Sequence, residues 1–268
     1  MKPSVLITGA SSGIGAATAR ELVARGYRVF GTSRKATEAA LINPEIEWLE
    51  LDVCSDASVT RAVATLLDTV PKLDALVCNA GMAIFGSVEE VPIEAAHQQF
   101  ETNFFGVLRT LRAVIPGMRR AGHGRIVLIG SLAGRAPIPF QAHYSASKAA
   151  VDALSLALRN ELRPFGVKVS LVEPGDIDTP FNDAMDWGDA NPNSAYAEQL
   201  SRCEQVIRES LPKAPKPTVV VRAIEKALTA KRPRVRYAVG ADSKLVPLAR
   251  RLLPDWLGLY FIRDHFHL

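Results

Sequence analysis

Short runs of β-branched and aliphatic residues alternate along the chain with longer segments of helical periodicity. Val5–Thr8, Arg28–Thr32, Glu47–Leu51, Ala75–Cys78, Arg125–Ile129 and Lys168–Val172 have the length and composition of strands. Between them, residues 13–25, 56–69, 94–120 and 143–163 repeat apolar positions every three or four residues, as helices do. A seventh strand, Arg234–Val239, follows a helix at 218–230. Strict alternation needs crossover connections, which are right-handed and generate parallel sheets. The strands are apolar nearly throughout, which suits burial on both faces. The expected fold is therefore α/β: a doubly wound parallel sheet of about seven strands with helices on both faces, in one domain spanning residues 1–268.

Two stretches depart from this rhythm. Residues 181–217 hold Asn191-Pro192-Asn193, a short amphipathic run, and then Pro212, Pro215 and Pro217, the pattern of an insertion ending in a stiff connector. The insertion follows the sixth strand closely, so it should lie over the carboxyl edge of the sheet as a lid, with Phe181, Met185, Trp187 and Tyr196 lining an apolar pocket. Residues 245–268 form a C-terminal extension in which Leu252–Ile262 is largely apolar between basic residues. Packing across a subunit interface, in a homodimer or homotetramer, is the favoured use of so short a stretch, ahead of contact with a membrane surface.

Composition narrows the class. The 268 residues are 48% hydrophobic and 22% charged, an ordinary globular balance. The net charge of +4 is unevenly spread: residues 1–190 carry 18 basic and 21 acidic side chains, and 191–268 carry 14 and 7. The basic run Lys231-Arg232-Pro233-Arg234-Val235-Arg236 has neither interleaved aromatic platforms nor a recognition helix, so nucleic acid is not an expected partner. Three scattered cysteines, Cys54, Cys78 and Cys203, are too few for a disulfide framework and point to a reducing compartment. The histidines lack ligand spacing apart from the tail pair His265 and His267, and no metal is expected. Val5-Leu6-Ile7 breaks at once into glycines, so a signal peptide is not expected either, and no apolar run is long enough for a bilayer. A soluble, cytoplasmic protein is the expectation.

The first strand ends in Thr8-Gly9-Ala10-Ser11-Ser12-Gly13-Ile14-Gly15, and a helix opens at once with Ala16-Ala17-Thr18-Ala19. Glycines let a backbone turn tightly and approach a pyrophosphate, while the helix N-terminus offers unpaired N–H groups and the favourable end of its dipole. A dinucleotide is the expected ligand. After the second strand comes Ser33-Arg34-Lys35, with no acid until Glu38. An acid there would hydrogen bond a ribose 2′-hydroxyl and repel a 2′-phosphate. The Arg34 fork, the Ser33 hydroxyl and the Lys35 charge suit the phosphate, so NADP(H) is expected in preference to NAD(H).

Further segments agree in order and spacing with one family. Thr-Gly-x-x-x-Gly-Ile-Gly at residues 8–15, Asn79-Ala80-Gly81 after the fourth strand, Asn103 in the next long helix, the set Ser131, Tyr144 and Lys148, and Pro174-Gly175 with Thr179 together resemble the short-chain dehydrogenase/reductase family. Val172-Glu173-Pro174-Gly175 and Tyr237-Ala238-Val239-Gly240 are most similar to retinol dehydrogenase-like and 17β-hydroxysteroid dehydrogenase-like members. The resemblance implies a Rossmann-type fold and a cofactor site formed by Gly9, Ser11, Ser12, Gly13, Ile14, Gly15, Ser33, Arg34, Asp52, Val53, Asn79, Ala80, Gly81, Tyr144, Lys148, Pro174, Gly175, Ile177 and Thr179. It implies that Asp52-Val53 meets the adenine, that Lys148 also holds the nicotinamide ribose, and that Asn103 marks a helix distortion and a proton relay through water.

Elementary chemistry supports the same set. Tyr144 and Lys148 are four apart in a helical segment and share a face. A nearby ammonium favours phenolate, so Tyr144 is expected to have a lowered pKa and to transfer a proton. Ser131 follows the fifth strand, at the sheet edge where open α/β folds bind ligands, and can orient a carbonyl or alcohol oxygen. His143 suggests a Ser–His hydrolase, but no Gly-x-Ser-x-Gly elbow surrounds Ser131, so His143 is taken as structural or substrate-lining. The expectation is an oxidoreductase that interconverts a carbonyl and an alcohol on a small apolar substrate, retinoid-, steroid- or aldehyde-like. A 3-oxoacyl thioester reductase and a dinucleotide-sensing binding protein without turnover remain as alternatives.

Overall fold

Seven strands make one all-parallel sheet. β1 (Ser4–Ile7), β2 (Arg28–Ser33), β3 (Glu47–Glu50), β4 (Ala75–Cys78), β5 (Gly124–Ile129), β6 (Val167–Pro174) and β7 (Arg236–Val239) lie in the order β3-β2-β1-β4-β5-β6-β7. The computed structural model describes residues 2–188, 193–240 and 245–268; Asn191 and Pro192 of the insertion lie outside the described residues. The order reverses between β1 and β4, and such a switch point opens a crevice at the carboxyl ends of the strands.

The apolar strands are buried on both faces, as their composition requires. On one face, Leu6, Leu76, Ile126 and Leu128 pack under α3 (Asp56–Thr69), α5 (Gly106–Ala121) and α6 (Ala142–Leu162). On the other, Val5, Ile7, Val77 and Val127 pack under α1 (Gly13–Ala24) and α9 (Thr218–Thr229). Period-two alternation on one strand thus feeds two separate cores.

The elements differ from the sequence expectation in four places. α2 (Ala36–Ile42) is unexpected, because seven residues are too few for a period to register, and Leu41 and Ile42 on it are exposed. The helix expected over 94–120 is α4 (Ile93–Phe100) and α5 joined by a π-helical turn, Glu101–Phe105. The insertion carries α7 (Pro180–Asp183) and α8 (Ala197–Ser210). The C-terminal extension forms α10 (Leu245–Leu252) and α11 (Asp255–His265), and it is turned partly inward rather than wholly outward. Ile262 and Phe266 join a third core with Cys203 and Leu200 of α8, while Leu252, Trp256 and Leu259 stay exposed.

No helix among the described residues is long and apolar enough to cross a membrane. Ile224 on α9 is fully buried against the strands, so Ile224→Ala should remove about 2–5 kcal/mol of unfolding free energy. Urea titration checks this, the expected result being a lower midpoint with an unchanged slope.

Candidate active site

The turn after β1 is shaped by its glycines. Gly9 and Gly13 have φ of 65° and 53°, in the left-handed region, and a Cβ on Gly15 would sit 2.2 Å from the Gly9 carbonyl oxygen and 2.5 Å from Asn79 Nδ2. The turn delivers the chain to α1, whose cap residue, Ser12, is extended and makes no side-chain cap bond. No acid occupies the first turn, so the N-terminal N–H groups and the dipole face the crevice without a competing carboxylate. This cradle fits the pyrophosphate of a dinucleotide.

The next strand clamps the turn. Asn79 Nδ2 donates to the carbonyl groups of both Thr8 and Gly9, each at 3.0 Å, and Thr8 Oγ1 accepts from the N–H groups of Asn79 at 2.9 Å and Ala80 at 3.1 Å. Thr32 Oγ1 accepts from Gly9 N–H at 3.3 Å. The expected Asn79 amide is therefore occupied in shaping the cradle. Thr8, read in the sequence only as the first residue of the glycine motif, and Thr32, given no role there, do the same work; a threonine ending a buried strand beside glycines was the available signal.

The adenosine side holds the remaining predicted groups. Asp52 Oδ1 accepts from Cys54 N–H at 2.9 Å and Val53 is buried, so both are fixed just beyond β3. Ser33 Oγ accepts from Lys35 N–H at 3.0 Å. Lys35 is paired with Glu38 at 3.3 Å, both exposed, so part of the positive charge expected there is neutralised on the protein. Arg34 is exposed with no ion pair among the described residues.

On the other side, Ser131, Tyr144, Lys148 and Asn103 converge. Ser131 caps the short turn Leu132–Gly134 by accepting from Ala133 N–H at 3.1 Å. Lys148 is buried and its Nζ donates to the Ile129 carbonyl at 3.0 Å, 5.7 Å from the centre of the Tyr144 ring. Asn103 lies in the π-turn, where Oδ1 accepts from Met82 N–H at 2.8 Å while Nδ2 donates to Met82 O and to Ser147 Oγ. Both ends of its amide are committed to protein, which ties the segment after Gly81 to α6. A Cβ on Gly81 would lie 3.2 Å from Asn103 Oδ1 and 3.6 Å from Lys148 Nζ, so only glycine leaves these groups their spacing.

Gly175 N–H donates to Val239 O at 2.8 Å, and a Cβ on Gly13 would meet Thr179 Cβ at 3.5 Å, so the segment leaving β6 closes back over the glycine turn. Pro174 ends β6, and buried Ile177 anchors the segment to the α1 and α9 side of the sheet.

The protonation pattern corrects one expectation. Tyr144 is raised, not lowered, from the ordinary tyrosine value: burial raises it most, the Ser131 hydroxyl opposes this, and the charge of Asp176 raises it further. Burial pushes Lys148 down to about 8. The ammonium is held at the Ile129 carbonyl and does not dominate the phenol. At neutral pH Tyr144 keeps its proton.

An apolar wall stands beside the phenol. The Phe181 ring is 6.2 Å from that of Tyr144, and Met185 and Trp187 pack with Phe85, Phe140 and Ile138. Tyr196 meets Phe140 at 6.2 Å and donates its hydroxyl to Glu89 at 2.8 Å. Asp186 bonds to the backbone of Ala83 and Phe85, which fixes the start of the insertion to the loop after β4. Phe140, absent from the sequence reading, has φ of 60° and is pinned by Gly86 N–H to its carbonyl at 2.8 Å. Among the described residues no group of three metal-ligating side chains occurs, and buried Cys78 and Cys203 have thiols pushed up to about 12 and about 11.

Gly15→Ala should weaken dinucleotide binding at least tenfold and lower the melting temperature. Gly117→Ala, where a Cβ meets nothing within 4 Å in mid-helix, should leave binding unchanged and stabilise slightly. Fluorescence titration with NADPH and a melting scan on both variants check the pair.

Comparison with known proteins agrees with this geometry. The family model described as short chain dehydrogenase matches residues 3–188. A 3-ketodihydrosphingosine reductase of Bacteroides thetaiotaomicron is 39% identical over 266 residues, covering 98% of each chain. The human 17-beta-hydroxysteroid dehydrogenase type 1 is 33% identical, over 96% of this chain and 83% of that one. The crystal structure of a short-chain dehydrogenase from Streptomyces avermitilis superposes with a TM-score of 0.81 at 33% identity, over 97% of this chain and 98% of that one. One from Burkholderia cenocepacia in complex with NADP superposes at 0.76 with 27% identity, over 97% of each chain. A dinucleotide cradle, a matching family model and relatives covering nearly the whole chain lead to one conclusion: the chain belongs to the short-chain dehydrogenase/reductase family, oxidoreductases that act on CH–OH and C=O groups.

Proposed function

We propose that the protein is an NADP(H)-dependent reductase of a ketone or aldehyde carried on an elongated apolar molecule. The observation that carries this reading is the apolar wall packed against the Tyr144 ring, built from Phe181, Met185 and Trp187 of the insertion together with Phe85 and Phe140. Residues 181–217 act as the lid of a single-domain enzyme, so the apolar part of a substrate lies between them and the sheet edge. The named substrates of the two relatives, 3-ketodihydrosphingosine and a 17-beta-hydroxysteroid, are both largely apolar, which supports the same class.

When bound, NADPH supplies the hydride. Gly9, Ser11, Ser12, Gly13, Ile14 and Gly15 hold its pyrophosphate, Asp52 and Val53 its adenine, and Asn79, Ala80, Gly81, Lys148, Pro174, Gly175, Ile177 and Thr179 its nicotinamide half. Ser131 holds the carbonyl oxygen and Tyr144 gives it a proton. Burial of the phenol favours this direction, since the protonated form is the donor and it predominates at neutral pH. Lys148, lowered to about 8 yet still mostly charged at pH 7, replaces the proton through the Asn103 side of the site. Asn103 positions Met82 and α6.

Tyr144→Phe should cut the reduction rate about 10²–10⁴-fold while NADPH affinity stays within a few-fold, because the ring still packs. Stopped-flow turnover paired with NADPH titration decides it; wild-type rates in the variant would overturn the mechanism, and NADPH binding with no carbonyl turnover in the wild type would return the dinucleotide-sensing alternative. The preference for NADP(H) rests on Arg34 and Ser33 at a position free of acid. Ser33→Asp combined with Arg34→Ser should shift the NADPH/NADH ratio of kcat/KM toward NADH by at least 100-fold, through a lost charged contact and an added repulsion. A wild type indifferent to the two cofactors would defeat this assignment.

A further inference from the structure

Four charged side chains that the mechanism above does not use form one chain across three elements. Glu173 on β6 is 1% exposed, and the Arg135 guanidinium meets it as a fork, Nε donating to Oε1 at 2.6 Å and Nη2 to Oε2 at 3.1 Å. Arg236 on β7 donates to the same Oε1 at 3.3 Å, and its two terminal nitrogens lie 2.8 Å from the two oxygens of Asp152 on α6. The charges alternate in sign and sum to zero.

The two ends of this chain are attached to the two halves of the site. Arg135 directly follows the short turn Leu132–Gly134 that Ser131 caps, and within it Gly134 N–H donates to Ser131 O while Arg135 and Ala136 N–H donate to Leu132 O. Asp152 lies on α6 one turn beyond Lys148 and two beyond Tyr144. Turn and helix touch: a Cβ on Gly134 would sit 3.0 Å from the Lys148 carbonyl carbon and 3.1 Å from Ala149 N. Ser131 Oγ is 3.5 Å from Pro174 O, and Pro174 follows Glu173 in the chain.

Stability does not account for the arrangement. A buried ion pair recovers little beyond the cost of desolvating its charges, and apolar side chains of similar volume commonly hold a core as well. An arginine–carboxylate fork adds direction, because a planar guanidinium meets two oxygens in one orientation. The Ser131 turn has only a single short turn of backbone hydrogen bonds of its own, so its orientation against α6 needs a reference outside itself.

We propose that Glu173 is a positioning residue for carbonyl reduction: its grip on Arg135 sets the Ser131 hydroxyl against the Tyr144 phenol, while Arg236 and Asp152 refer the same carboxylate to α6. This deepens the reading under Proposed function and rests on the roles given there to Ser131 and Tyr144. Glu173 and Arg135 act through Ser131, so their effect is separable from a general loss of stability.

The test is a double-mutant cycle on the reduction of a long-chain methyl ketone by NADPH, run below the melting transition of every variant. Arg135→Lys keeps all four charges and cannot form the fork. It should lower kcat about tenfold or more while NADPH affinity stays within a few-fold. In a Ser131→Ala background the same change should cost less than about twofold more, because the group it places is gone. Glu173→Gln should match Arg135→Lys; if that variant fails to fold, the charge-conserving Arg135→Lys decides. Arg28→Lys breaks a fork of like geometry with Glu47, 2.6 and 2.8 Å, at the start of β2, and should leave kcat unchanged. An unchanged kcat in Arg135→Lys overturns the proposal. So does a loss of undiminished size in the Ser131→Ala background, which is what a purely structural role predicts.

Amide hydrogen exchange reads the placement without turnover. Arg135→Lys should lose protection at the Gly134, Arg135 and Ala136 amides while the amides of α9 keep theirs. Equal protection in variant and wild type overturns the proposal. If the wild type reduces no ketone, the proposed activity fails by itself, and the exchange result decides separately whether Glu173 seats the Ser131 turn.

Discussion

The clamp of Asn79 on the carbonyls of Thr8 and Gly9 is the contact on which the ligand-facing edge depends. β1 and β4 are neighbours at the point where strand order reverses, and nothing in the sheet ladder itself dictates how the two loops beyond them should sit. One amide with two donors, joined to a threonine hydroxyl accepting from two N–H groups, locks those loops together. Gly15 then has no room for a side chain, because its space is filled by the same amide and by Gly9 O. From that clamp the rest follows spatially: Gly81 next to Asn103 and Lys148, Thr179 next to Gly13, and Tyr144 beside the segment between them.

Much of this was legible in the chain, for identifiable reasons. Strands buried on both faces leave uninterrupted apolar runs, so β1, β4 and β5 are visible within a residue or two. The glycine turn is visible because positive φ leaves few residue choices. α2 was not legible, since a seven-residue helix with exposed Leu41 and Ile42 has no hydrophobic stripe to detect. The π-turn was not legible from periodicity either, because one extra residue in a helix of 20 or more shifts the pattern by less than its own noise. The direction of the Tyr144 pKa was misjudged for a different reason. Spacing puts Lys148 on its face, but only coordinates show that the ammonium is spent on Ile129 O and that Asp176, remote in sequence, acts on the phenol.

Burial moves the two titratable members of the pair in opposite senses, each toward its neutral form. Tyr144 goes up and Lys148 down to about 8. Desolvation therefore outweighs any mutual stabilisation of phenolate and ammonium, as expected when the ring centre and Nζ are 5.7 Å apart and the ammonium has a carbonyl of its own. The pair rests as phenol and ammonium at neutral pH.

The apolar wall beside Tyr144 is also the core that holds the C-terminal helix. Phe181, Met185 and Trp187 share one cluster with Cys203 and Leu200 of α8 and with Ile262 and Phe266 at the end of the chain. Arg202 on α8 reaches the His267 carbonyl at 3.1 Å, and Ser210 at the far end of the same helix reaches Asp176. α8 is thus tied near its middle to the tail and at its C-terminal end to the segment that leaves β6. In a close-packed cluster of this kind, a displacement of α11 cannot be absorbed locally, because its neighbours already fill the space. The arrangement of the apolar wall beside Tyr144 and the seating of the C-terminal helix are therefore one variable.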